Sequence, residues 1–234
     1  MQVSQIFLSD KNQLVSPELL HQVERLKRLY LGYQYTLYDN ITLREFIKNN
    51  FEPRVSNAYD QLVPYAYKAD LGRYCILHKI GGWYFDISVN LINCINPPLE
   101  IESIAYRDIQ IFSGTSWSVW NGALYSKPKN PVFLDAIEII VNNCQNKFYG
   151  ISPLCPTGPT VLGHAFAKRG ASASAVFGDL MTLTPGRQIL NKAFILPDGL
   201  IHGFAKNLPP GDLQTEGTNN YLDLYFQKQI YKTS

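Results

Sequence analysis

The sequence predicts a single α/β domain built on a doubly wound sheet, and three observations carry that expectation. The chain opens strand–helix–strand: an apolar run at residues 3–8, an amphipathic helix, then YQYTLY at residues 33–38. Its 234 residues suit one large domain, and no linker-like stretch divides residues 1–234. Hydrophobic residues make up 46% and charged residues 17%, enough for a packed core and incompatible with disordered or fibrous classes.

The elements follow from local signals. Ser16-Pro17-Glu18 reads as N-cap, first-turn proline and acidic start, followed by Leu19, Leu20, Val23, Leu26 and Leu29 at helical spacing, with Gly32 as the stop. Residues 42–51 and 53–62 suit two short helices. Pro64 opens a longer one, ended by Gly81-Gly82. Trp83-Tyr84-Phe85 then forms a strand that terminates on Asp86. Strands are expected at 109–112 and 122–125, and helices at 131–145 and 159–168. Further strand segments lie around Val176 and at 180–183, 194–196 and 200–204. Residues 205–220 form a polar Pro/Gly loop, long enough to be expected as a lid over a ligand. A last amphipathic stretch spans 221–231.

Composition narrows the partners. A formal charge of +2 and a pI near 8.2 leave no basic footprint for nucleic acid. Cys75, Cys94, Cys144 and Cys155 form no CxxC pair and have no histidine at metal-ligand spacing. They therefore suit reduced thiols in a cytoplasmic protein rather than a zinc site or disulfide framework. The N-terminus lacks the pattern of a signal peptide, and no window approaches the ~18 apolar residues of a membrane span. A soluble chain is expected, at most peripheral to the inner membrane.

The chemistry concentrates in ADLGRYCILHKIGGWYFDISVN, residues 69–90. Asp70 and Arg73 are three apart on a helix and share a face. From Asp70 to Ile80 the helix covers roughly 15 Å, and the strand returns about 13 Å from Gly82 to Asp86. A tight reversal at the double glycine therefore brings Asp70 and Arg73 beside Asp86, at the carboxyl end of a strand, where open α/β sheets bind ligands. The same spacing also fits a helix-surface ion pair with Asp86 as a strand-end cap.

These residues carry a resemblance. AYKADLGRYCILHKIGGWYFDIS is similar to the core signature of the glycosyltransferase family 32 type, the DXD-motif sugar-binding group that includes bacterial capsule and lipopolysaccharide transferases. Asp70, Arg73, Tyr74, Gly81, Gly82 and Asp86 match its spacing. Val3 to Phe7 resembles its first strand, with Ser4 where a His is usual. Asn121-Gly122-Ala123, Asn130-Pro131 and Gly158-Pro159 resemble its later landmarks. The resemblance implies a GT-A nucleotide-diphospho-sugar transferase fold and a retaining hexosyl transfer, with a UDP-hexose as the favoured donor. A glycan or glycolipid is the implied acceptor. Asp70 and Arg73 would contact the donor sugar, Asp86 the ribose and a divalent metal, Mn²⁺ or Mg²⁺. Ile6 and Phe7 would flank the base, Asn121 the sugar, and Gly158-Pro159 a phosphate or the acceptor.

One departure stands out. The motif here is Asp86-Ile87-Ser88, so a hydroxyl replaces the second acid and metal affinity falls or vanishes. His202, in LIHGF, is the expected supplementary metal ligand. Two alternatives stay open: a catalytically silent nucleotide-sugar-binding module, motivated by Ser88, and a transferase that modifies protein side chains.

Overall fold

The computed structural model describes residues 1–10, 15–109, 114–170, 174–183, 192–205 and 217–232. The chain begins β1 (Gln2–Ile6), α1 (Pro17–Leu29), β2 (Gln34–Tyr38), with both strands parallel in register. The Ser16 side chain accepts from the Leu19 amide and caps α1, as its position before Pro17 predicts. Helices α2 (Asn40–Asn50), α3 (Pro53–Gln61) and α4 (Tyr65–Lys79) follow. α2 begins two residues before the expected start because Asp39 caps it and closes a capping box with Thr42.

The next strand, β3 (Gly82–Phe85), returns beside β1 and stops one residue short of Asp86. Gly81 and Gly82 both have positive φ, 73° and 87°. A Cβ on Gly82 would lie 2.3 Å from the Gln2 carbonyl oxygen, so the reversal demands glycine on both conformational and steric grounds.

Downstream lie β4 (Asn90–Leu91), β5 (Ser103–Arg107), β6 (Val119–Ser126), α5 (Pro131–Gln145), α6 (Pro159–Arg169), β7 (Ala175–Thr182), β8 (Lys192–Ile195), β9 (Ile201–Phe204) and α7 (Tyr221–Phe226). Among the described residues the strands form one mixed nine-stranded sheet in the order β2-β1-β3-β6-β5-β7-β8-β9-β4. β4 and β5 were not expected. Most of the strand expected at 109–112 and most of the loop expected as a lid lie outside the described residues. The amphipathic stretch at 221–231 is helical only to Phe226, since Lys228 turns to φ 59° and Tyr231 bridges to Leu62.

Two apolar clusters cover the two faces of the sheet. One joins α2 through α6 around Leu43, Tyr74, Ile76, Phe133 and Ile137. The other packs Leu26 and Tyr30 of the α1 region against Trp83, Phe85, Tyr106, Trp120 and Phe194. α4 is enclosed nearly all round, so Asp70 and Arg73 enter the interior with it and must find partners there.

Candidate active site

Four elements meet at the carboxyl end of β1 and β3. α4 supplies Asp70 and Arg73, the end of β3 supplies Tyr84 and Asp86, β6 supplies Asn121, and the segment entering α6 supplies Thr157. The convergence that spacing predicts is present. Arg73 Nη1 lies 3.0 Å from Asp86 Oδ1, and its Nη2 3.3 Å from Asp70 Oδ1. The guanidinium also sits over the Tyr84 ring, 4.7 Å from its centroid, and Nη1 donates to the Asn121 carbonyl at 2.6 Å. Asp86 is therefore more than a strand-end cap.

Asp70 is the most constrained of the three. Its Oδ1 accepts from Asn121 Nδ2 at 2.8 Å and its Oδ2 from the Thr157 hydroxyl at 2.7 Å. Asn121 Nδ2 also donates to the Tyr74 hydroxyl at 3.0 Å. Burial raises the Asp70 pKa, against the pull of Arg73 and the Thr157 hydrogen bond. Burial opposes the charge on Arg73 too, but Asp86, Tyr84 and Asp70 together hold its pKa above the ordinary value. Two carboxylates and one guanidinium leave the cluster one negative charge in excess.

A cavity of about 200 Å³ opens on this cluster, with Ile6, Phe7, Arg73, Asp86, Ser88 and Tyr221 in its walls. Asp70 and Asn121 are not in its lining: they stand behind Arg73 and hold it. Gly158 approaches Asp70 Oδ2 to 3.4 Å, measured from the Cβ it lacks, whereas Pro159 is buried as the first residue of α6. Tyr84 and Thr157 were missed from the sequence. Tyr84 was legible in principle, because it lies two residues before Asp86, on the same side of an extended chain. Thr157 carried no signal beyond preceding Gly158-Pro159.

The metal expectation can be tested on the donor set. Both contacts to Asp86 fall on Oδ1, from Arg73 and from the Tyr84 hydroxyl at 2.9 Å. Oδ2 and the Ser88 hydroxyl remain as oxygen donors. They fit a hard divalent ion that brings most of its ligands with a diphosphate. Among the described residues no three His, Cys, Asp or Glu side chains cluster. His202 lies in β9 and is absent from the cavity lining. Its nearest charged neighbour is Asp198, 3.4 Å away. β9 pairs with β4, which begins two residues after Ser88, and the His202 carbonyl accepts from the Ile92 amide at 2.8 Å, but the His202 ring lies beyond ion-pair distance of Asp86. No described helix is long and apolar enough to cross a membrane.

Comparison with known proteins meets this geometry. Residues 16–105 match the family described as "Glycosyltransferase sugar-binding region containing DXD motif". An uncharacterized glycosyltransferase of Acanthamoeba polyphaga mimivirus is 33% identical over 135 residues, covering 56% of this chain and 51% of that protein. Inositol phosphoceramide mannosyltransferase 3 of Schizosaccharomyces pombe is 35% identical over 72 residues, covering 31% of this chain and 20% of that protein. The chain thus spans about half the length of the first of these relatives and a fifth of the second. Among solved structures, PaToxG glycosyltransferase superposes with a TM-score of 0.55 at 15% identity, covering 72% of this chain and 68% of that one, a likeness of fold. The mixed α/β sheet is of the GT-A type. Residues 16–105, which hold Asp70, Arg73, Asp86 and Ser88, are thus similar to the DXD-containing sugar-binding region of glycosyltransferases.

Proposed function

We propose that the chain is a hexosyltransferase that takes a sugar from a nucleotide-diphosphate donor, favouring a UDP-hexose, and passes it with retained anomeric configuration to a glycan or glycolipid. The observation that carries this reading is Arg73, a buried cation fixed between two carboxylates at the floor of a cavity. Such a group cannot be there for solubility, and its geometry is set before any ligand arrives. In this reading Arg73 and Asp86 touch the donor. Asp70, Asn121 and Thr157 are positioning residues that hold Arg73 in place. Ile6 and Phe7 offer an apolar wall to the base, and Tyr221 closes the opposite side.

A divalent ion, Mn²⁺ or Mg²⁺, supplies Lewis-acid stabilisation of the leaving phosphate when bound, and Asp86 and Ser88 are the residues that would hold it. Arg73 adds fixed positive charge to the same cavity without a metal. Ser88 in place of a second acid favours one further reading, a binding module without turnover.

The experiment is a donor panel of UDP- and GDP-sugars, assayed for binding by thermal shift and for transfer by anomer-resolved NMR. Arg73→Ala should lower transfer by at least about 10²-fold, since loss of a positioned group misplaces the reacting sugar. Binding of a nucleotide sugar with no transfer to any glycan would establish the silent module instead.

A further inference from the structure

On the outer flank of α6 a second cavity, of about 480 Å³, opens between α5 and α6. Trp117 and Phe148 stand in its walls, 44% and 45% exposed. Thr160 and His164 recur four apart along α6 and so share one face, while Glu138 and Asn142 do the same on α5. The His164 ring meets Trp117 nearly edge-on, centroids 6.1 Å apart. Lys168 ties the two helices through Asp135 at 2.8 Å.

The size lies within the ~300–1,000 Å³ of small-molecule sites, and the lining mixes aromatic surface with a few polar groups. Aromatic rings suit the C–H faces of a pyranose, and amide, imidazole and carboxylate groups suit its hydroxyls. Glu138 is paired with Arg54, and Asp135 with Lys168 and Arg169, so the walls carry balanced charge and suit a neutral ligand. The cavity is also tied to the buried cluster. Thr160 follows Thr157 by three residues, and Trp117 precedes Asn121 by four; the side chains of Thr157 and Asn121 both bond Asp70.

We propose that this cavity holds a sugar unit of an extended glycan acceptor, remote from the end that receives the new sugar. The proposal rests on the transferase reading above.

The test titrates the full chain, Trp117→Ala and His164→Ala with maltotetraose and mannotetraose, following the indole signals by NMR. UDP and GDP binding is measured on the same preparations. A tetrasaccharide should shift the Trp117 indole, and each variant should weaken it about tenfold or more while binding nucleotide like the wild type. His164 is exposed, so its variant keeps the test valid even if Trp117→Ala unfolds. Unchanged tetrasaccharide affinity in the folded variants, or an unmoved Trp117 signal with both sugars, overturns the proposal. Trp117-dependent glycan binding in a chain that binds no UDP, GDP or nucleotide sugar supports the glycan site and overturns the transferase reading.

Discussion

Asp70 carries its charge in the interior, and two consequences follow at the scale of single residues. Burial is the main cause of its raised pKa, so the ionised form costs the folded chain stability. The favourable contribution of a raised-pKa group is complete below its unfolded pKa and is lost as pH rises through the folded one. Asp70→Asn stays neutral throughout. Its melting temperature relative to wild type should therefore be higher near neutrality than in the acid range below ordinary carboxylate pKa values. A difference that runs the other way would show that Arg73 outweighs burial. Transfer should fall in this variant at every pH, because a neutral amide loses the ion pair with the Arg73 guanidinium. Ser88 governs the second consequence. It is buried in the cavity wall beside Asp86, so Ser88→Asp places a second anionic oxygen where only a hydroxyl now stands. Half-activation by Mn²⁺ should move to lower concentration by about tenfold, ~1.4 kcal/mol. Full activity in EDTA, with Ser88→Asp indifferent to Mn²⁺, would mean that Arg73 alone neutralises the leaving phosphate.

At the scale of elements, the reversal between α4 and β3 sets the site, since it returns Asp86 to the level of Asp70. Gly82→Ala would meet the Gln2 carbonyl at 2.3 Å and hold a strained positive φ, severing β1 from β3. A loss of about 2–4 kcal/mol is expected. Thermal denaturation checks it, and a variant that melts like wild type would show that the hairpin relaxes freely. This reversal was readable from the chain because a helix and a strand of known rise flank a double glycine. The cap at Ser16 was readable for the same local reason. β4 and β5 were not: β4 has two residues, and β5 reads SIAYR, with neither sustained alternation nor a turn signal. They exist because β9 and β6 offer them edges. Asp70, Arg73 and Asp86 were found by spacing within one segment. Thr157, 87 residues from Asp70, could not be found that way. The place of His202 could not be read from spacing either, since it depends on where β9 enters the sheet.

The whole molecule closes its cavity from both ends of the described chain. Ile6 and Phe7 come from the end of the first strand and the residue after it, Tyr221 from the last helix, and the segment after α7 fixes Tyr221 by crossing back past the end of α3. The Val63 amide donates to the Ile230 carbonyl at 2.9 Å, and the Lys232 amide to the Gln61 carbonyl at 2.8 Å. The Tyr225 hydroxyl reaches the Gly150 carbonyl at 3.2 Å, and Tyr221 packs on Tyr67 with centroids 6.0 Å apart. Ile230 is fully enclosed at the centre of this strap. Ile230→Ala should cost about 2–5 kcal/mol through the lost apolar contact and the cavity left behind. At roughly 2–4 °C per kcal/mol for a chain of this size, the loss is visible in a melt. Because the strap also holds a cavity wall, nucleotide-sugar affinity should fall with stability. Leu222→Ala, on the exposed side of α7, should change neither. A lower melting temperature with unaltered donor binding would reduce the strap to packing and remove Tyr221 from the donor site.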